Sequence, residues 1–354
     1  MINQDQLTEA WVQDISGKYN ADPILVEKVI RAFLLLEGLV KQNLDFVFKG
    51  GTALMLHFDS SKRLSIDIDI ILPDKKADLE SILTSLVNDQ NFTRLELQER
   101  TARSEIEKAH YKLYFKPLLK TRKDEEYVLL DILFEDIHYA NLIELPITSF
   151  FVPDDGKPIH VQVPTVEDLL GDKLTAFAPN TTGIPYFKGK DSMNMEIIKQ
   201  LYDVGNLFDV AEDLPTVKNT FQKFAVADLA YREADGLTAD DVLEDIFQTS
   251  LSIATRGKSG DTKIVELQQG IKRVRSFIHS EKYQLKNAIT HATKAAYIAT
   301  ILKHNTESIE RFEPGINMKE WIIKQPFNTR VNKLKRSDPE AFFYWYKMYK
   351  ISKR

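Results

Sequence analysis

The sequence predicts a chain of the α/β (α+β) class in two parts: a mixed sheet with flanking helices over residues 1–164, and a helical domain over residues 165–354. Three observations predict it. Short aromatic or β-branched runs bounded by charged turns fill the first part. Beyond Pro164 the apolar residues recur at helical spacing. The 354 residues, 43% of them apolar, suffice to build two cores rather than one.

From Leu7 to Leu39 the apolar residues follow helical spacing, broken by Asn20-Ala21-Asp22-Pro23, where the proline restarts the helix near its first turn. Two helices therefore precede the first strand, Phe46-Val47-Phe48. Gly50-Gly51 reads as a turn and Thr52 to Phe58 as the opening of a helix. The isoleucine-rich stretch Ser65 to Leu72 alternates like a strand, and Lys75 to Val87 follows as an amphipathic helix. Phe92 to Leu97, Ala109 to Phe115, Tyr127 to Phe134 and Ile159 to Val163 complete the strands. Helices are expected at Thr165 to Ala178, Met193 to Val210, Val217 to Ala234, Thr238 to Thr255, Thr262 to Ser280 and Leu285 to Lys303. A last helix is opened by Ser337-Asp338-Pro339-Glu340. Between the first two, Asn180 to Asn194, with Gly183, Pro185, Gly189 and Lys188/Lys190, reads as a flexible insertion. Repeats and low-complexity tracts are absent.

Composition narrows the chemistry. The absence of cysteine excludes disulfides, thiolate metal sites, iron–sulfur clusters and a Cys nucleophile. No two of the histidines (His57, His110, His138, His160, His279, His291 and His304) lie within a helical turn, which excludes compact zinc motifs. The N-terminus has no basic region followed by an apolar core, and no apolar run approaches the roughly 20 residues of a bilayer span. The expectation is a cytoplasmic protein without membrane contact. A net charge of −5 is no bar to nucleic acid, which needs only a local basic surface.

Chemistry concentrates in Lys49-Gly50-Gly51-Thr52-Ala53-Leu54 and Arg63-Leu64-Ser65-Ile66-Asp67-Ile68-Asp69-Ile70. Paired glycines permit positive φ and close backbone approach, and the helix after them offers unpaired N–H groups to an anion such as a triphosphate. In a strand, Asp67 and Asp69 face one side while Ile66, Ile68 and Ile70 enter the core. Two adjacent carboxylates repel unless a proton or a hard divalent cation intervenes, and such a cation also binds phosphates. Asp131, inside the apolar run Tyr127 to Phe134, is a third acid. If its strand lies beside the first, the three carboxylates form a cluster suited to two-metal phosphoryl or nucleotidyl transfer. Plainer readings stay open: a turn with a Thr cap, a solvated strand face, and an edge-strand Asp meeting water or an Arg.

These residues, in this order, resemble the nucleotidyltransferases of the DNA polymerase β superfamily, and more closely the AbiEii/AbiGii toxin family of abortive-infection and type IV toxin–antitoxin systems. The likeness extends to Gly171-Asp172-Lys173-Leu174-Thr175-Ala176-Phe177 and Lys199-Gln200-Leu201-Tyr202-Asp203-Val204. The resemblance implies a polymerase β-like mixed sheet followed by a helical domain. It makes Gly50, Gly51 and Thr52 the phosphate-facing turn, with Ser65 close to the triphosphate. Asp67, Asp69 and Asp131 become ligands of Mg²⁺, two ions in all, Lys173 a contact to the NTP phosphates, and Asp203 a helical acid orienting Lys173 or the acceptor. It further implies an RNA acceptor, with the tRNA 3′ end leading, and a cognate antitoxin encoded nearby. Lys173 also has the reading of a surface lysine, although Leu169, Leu170, Leu174 and Phe177 surround it with apolar residues.

From Lys319 to Arg354 there are ten Lys or Arg against three acids, a balance of +7, interleaved with Phe342-Phe343-Tyr344-Trp345-Tyr346 and Tyr349. Such a mixture can grip a phosphate backbone and stack unpaired bases. Lys333, Lys335, Arg336, Lys347 and Lys350 are the expected RNA contacts. The same aromatics can equally dock a C-terminal helix on the core. Two other functions stay open: an RNA- or partner-binding module without turnover, and transfer to a small molecule or a protein hydroxyl.

Overall fold

The computed structural model describes residues 1–74, 78–98, 107–258, 260 and 263–353. Among these the chain forms twelve α-helices and nine strands, a mixed α/β architecture about half helical. It divides into two compact units, one of Met1–Thr165 with Ser276–Lys282, the other of Val166–Arg275 with Tyr283–Arg354.

The first unit opens with α1 (Glu9–Tyr19) and α2 (Pro23–Lys41). The Thr8 hydroxyl caps α1 by accepting from Trp11 N at 3.2 Å. The Asp22 carboxylate caps α2, whose first residue is Pro23. Then come β1 (Val47–Lys49), α3 (Gly50–His57), β2 (Ile68–Ile71), α4 (Leu79–Asp89), β3 (Arg94–Leu97), β4 (Glu107–Phe115) and β5 (Glu126–Phe134). The five strands form one sheet in the order β1-β2-β5-β4-β3. Only β2 and β5 pair in parallel, so the sheet is mixed. Alternation sorts its faces: Ile68, Ile70, Leu130 and Ile132 are fully buried, and α2 packs against β2 and β5. Helix α2 is buried without a break from Val29 to Leu39, Arg31 and Glu37 included, and so serves as the buried centre of this unit. Its Glu27 is kept from being an orphan charge by accepting from Leu118 N at 2.7 Å.

A second, two-stranded sheet joins β6 (Leu142–Pro146) to β7 (His160–Pro164). The strand at Ile159 to Val163 was expected, but not its partner: β6 is largely solvent-facing and lacks a clean apolar alternation. Two other expectations are corrected together. The Ser65 to Leu72 strand begins only at Ile68, and Ile66 is half-buried rather than in the core. The helix expected to Ser280 stops at Arg273. The reason is a shared pairing within the first unit: Leu64 N donates to Phe277 O at 2.7 Å, and Arg63 bridges Ile278. His279 bonds Ser60 O at 3.0 Å, and burial holds its imidazole below the ordinary value despite that bond. Lys75, at the start of the expected α4, and Thr262 lie outside the described residues.

The second unit holds α5 (Val166–Ala176), a hairpin of β8 (Phe187–Lys188) and β9 (Asp191–Ser192), α6 (Asn194–Val210), α7 (Leu214–Tyr231), α8 (Ala239–Thr255), α9 (Ile264–Arg273), α10 (Leu285–Lys303), α11 (Leu334–Ser337) and α12 (Pro339–Ile351). Helix α10 is its axis, packing on α6, α8 and α12, and its buried Ala288, Ala292, Ala295, Ala296 and Ala299 let those neighbours approach closely. The 180–194 segment is tied down rather than loose. Asp245 accepts from Asn180 N at 2.8 Å and from Thr181 Oγ1 at 3.0 Å, and Thr182 Oγ1 donates to Thr175 O at 2.8 Å. Helix α12 corrects the base-stacking expectation: Phe342, Phe343, Tyr344, Trp345 and Tyr349 are at most 4% exposed and belong to the core.

One backbone position fixes how α3 meets β2. Gly50 has φ +80°, and a Cβ there would collide with the Asp69 carboxylate. Gly156 also has positive φ, +73°, but faces open space. Gly156→Ala is expected to cost about 1–2 kcal/mol for the backbone alone. Gly50→Ala should cost that plus about 1–3 kcal/mol for overpacking. Urea midpoints of the two variants measure the difference, and equal losses would refute the collision.

Candidate active site

The sheet register assembles the first cluster. Lys49 on β1 is opposite Asp69 on β2, Asp69 is opposite Asp131 on β5, and Asp131 is opposite His110 on β4. Residues in register on neighbouring strands project from one face, so these four form a polar row across the sheet, on the face opposite the buried isoleucines. Asp131 is therefore on a central strand, not an edge. It keeps 32% side-chain exposure, and its Oδ1 accepts from His110 Nδ1 at 2.6 Å. Asp67 precedes β2 by one residue and is half-buried.

The glycine turn lies against the same segment. Gly50 and Gly51 form the first turn of α3, where Lys49 at the cap position supplies no side-chain bond to the N–H groups. At Gly51 a Cβ would stand 2.5 Å from Arg63 Nη2 and 2.7 Å from Ser65 Oγ, so the missing side chain is what lets a buried guanidinium and a buried hydroxyl close on the turn. The Thr52 hydroxyl is committed elsewhere. Fully buried, it donates to the Asp67 carbonyl at 2.5 Å and ties α3 to the approach of β2. What Thr52 can offer a phosphate is its backbone N–H.

The donor chemistry of Asp67, Asp69 and Asp131 suits a hard divalent cation, because all three are carboxylates and two of them are neighbours across parallel strands. Among the described residues, no three His, Asp or Glu side chains are already gathered as a cage. The fit is thus in ligand type and adjacency.

In the second unit, Lys173 of α5 is buried, not a surface lysine. Its Nζ lies 3.3 Å from Asp203 Oδ2 and donates to Gln200 Oε1 at 3.0 Å, with both partners on α6. The side chains of Lys173 and Asp203 are 8% and 3% exposed. A charge so placed requires its counter-ion. Of the expected RNA contacts, Lys333, Arg336 and Lys350 are exposed. Lys335 instead donates to the carbonyls of Lys319 and Trp321, and Lys347 pairs with Glu310.

Sequence reasoning missed His110 and Arg63. His110 sits in an unremarkable charged-aromatic strand, and only the β4–β5 register puts it on Asp131. Arg63 lies within the second motif, where spacing alone assigns it no role. The signal that could have found it is Gly51, twelve residues earlier: a turn that must stay small implies something large beside it.

The comparisons with known proteins come to bear on this geometry. The family model described as nucleotidyl transferase AbiEii toxin, type IV toxin–antitoxin system, matches residues 34–346. Among solved structures, JHP933 from Helicobacter pylori is 16% identical with a TM-score of 0.41, over 79% of this chain and 91% of that one. A second Helicobacter pylori structure, provisionally described as a nucleotidyltransferase, is 16% identical with a TM-score of 0.41, over 81% and 97%. No curated protein matches the chain. Likenesses of that degree carry no weight in the assignment, which rests on the family match across most of the sequence. The chain belongs to the AbiEii toxin family and is a nucleotidyltransferase.

Proposed function

We propose that this nucleotidyltransferase moves a nucleoside monophosphate from an NTP to a hydroxyl of RNA, with the tRNA 3′ end as leading acceptor, and that the transfer arrests growth when a cognate antitoxin is missing. The observation that carries the reading is the pairing of Asp69 with Asp131 across β2 and β5, beside the glycine turn of α3.

In this reading the acceptor oxygen attacks the α-phosphorus, the bond to pyrophosphate breaks, and the hydroxyl proton leaves to a base or water. Asp67, Asp69 and Asp131 would hold Mg²⁺, which when bound activates the attacking oxygen and neutralises charge on the leaving pyrophosphate. The first-turn N–H groups of Gly50, Gly51 and Thr52 face the triphosphate, with Ser65 and Arg63 at their side. His110 fixes the Asp131 carboxylate through its Nδ1–H. The family resemblance would give Lys173, held by Asp203, the part of a point charge for phosphate.

Purified protein is incubated with total RNA, Mg²⁺ and each labelled NTP in turn. Asp67→Ala, Asp69→Ala and Asp131→Ala should each lower label transfer about a thousandfold or more, with circular dichroism unchanged. Full transfer by any of them ends the reading. In the same assay, His110→Ala should lose about 10–100-fold, and His110→Asn, which keeps an N–H donor, should lose less. Asp203→Ala strands the Lys173 charge and should cost about 3–5 kcal/mol of stability. Lys173→Met combined with Asp203→Leu should recover most of that stability but none of the activity. Recovered activity would show that the pair is only structural.

A further inference from the structure

The aromatic residues of α12 are buried with one exception. Tyr346 is only half-buried, and its ring is stacked on Trp321 at a centroid distance of 4.3 Å and an interplanar angle of 16°. Trp321 is likewise half-buried, and the neighbouring Ile322 is 56% exposed. Among the described residues, folding thus leaves a parallel pair of large rings, with an aliphatic side chain beside it, half-exposed on the second unit.

The segment that carries Trp321 is fixed from below. Lys335 Nζ donates to the carbonyls of Lys319 at 2.5 Å and Trp321 at 3.0 Å. The Asn332 side chain both accepts from Ile323 N at 3.0 Å and donates to Ile323 O at 2.8 Å. These bonds grip the backbone on both sides of the indole, so the ring is presented already in place, and a ligand need not spend binding energy ordering it.

The stretch of chain that carries both rings is basic. Between residues 319 and 353, seven Lys or Arg residues are exposed against one exposed acid, Glu320. The other two acids are already engaged: buried Asp338 caps α12 and accepts from Thr290 Oγ1 at 2.7 Å, and Glu340 pairs with Lys294 at 3.0 Å. In a chain of net charge −5, this is a local excess of the sign that polyanions require.

We propose that the Trp321–Tyr346 stack is a platform for unpaired bases of the RNA acceptor, with the surrounding lysines and arginines following its backbone. The proposal deepens the nucleotidyl-transfer reading and rests on it for the identity of the RNA as substrate. Half-exposed rings stacked in parallel, and backed by Phe343 against Trp321, favour bases, which stack without regard to sequence, and positive charge favours their phosphates. An acidic protein segment would satisfy the charge but leave the ring geometry unused.

The test titrates the full chain against a fluorescein-labelled uridine oligonucleotide of about 12 residues, a length such surfaces span, and follows anisotropy. Trp321→Ala should weaken binding about tenfold or more, and Trp321→Phe, which keeps a ring, should stay near wild type. Lys333→Glu with Arg336→Glu should weaken binding and flatten its salt dependence. Binding by Trp321→Ala within about twofold of wild type, or equal competition by duplex RNA, overturns the proposal. If Trp321→Ala fails to fold, the quenching of emission on adding oligonucleotide to wild type is compared with that of Trp321→Phe, and identical quenching overturns it. Label transfer is read in parallel. Binding lost in Trp321→Ala without any wild-type transfer to RNA removes the parent reading and keeps the platform; transfer with an unchanged RNA KM in Trp321→Ala removes the platform and keeps the parent reading.

Discussion

The parallel pairing of β2 with β5 is the constraint on which the rest of the first unit depends. It brings residues 69 and 131, distant in sequence, to adjacent positions, and both are aspartate. Two carboxylates side by side are unfavourable unless the surroundings supply positive charge or a donor. The row supplies both kinds of neighbour, with Lys49 at one end and His110 at the other. The opposite face of the same strands, where Ile68, Ile70, Leu130 and Ile132 are fully buried, provides the packing that offsets this cost. The alternation that buries the isoleucines is the one that exposes the acids, so stability and chemistry come from a single periodicity.

The second unit solves a related problem differently. There a lysine and an aspartate on neighbouring helices are withdrawn from water together, and a glutamine amide oxygen also accepts from the lysine. Such a pair adds little net stability but fixes one side chain against another with little tolerance. Elsewhere in the unit, alanines on α10 and aromatics on α12 build a core in which tyrosine hydroxyls find partners. Burial pushes the phenols of Tyr297 and Tyr344 up to about 12, and they accept from the backbone N–H groups of Glu310 and Phe312.

What the sequence revealed follows the range of the interactions. Helices with strong periodicity and clear caps were legible nearly to the residue: Leu285 to Lys303 is α10, and Asp338-Pro339 opens α12. The Asp-x-Asp run and the later strand acid were legible because carboxylates are conspicuous among isoleucines and leucines. Non-local features were not. The β6 strand has no alternation of its own, the pairing of Leu64 with Phe277 spans more than half the chain, and His110 acquires its partner only through register. Thr52 was legible as a residue of the turn, but its hydroxyl turned inward to a carbonyl that no spacing rule points to. The aromatic residues of α12 were ambiguous for a different reason: burial and base stacking select the same side chains, and only exposure separates them.

The short return of Ser276–Lys282 to the first unit has a consequence for biosynthesis. Leu64 and Ser60, just ahead of the Asp67 segment, have their partners Phe277 and His279 in that return. A ribosome that has finished residue 165 has therefore not yet made all the pieces of the first unit. Domains commonly fold as they emerge, but this one lacks a structural component until residue 282 has been translated. The nascent chain is thereby kept from completing its first unit until most of its polypeptide exists.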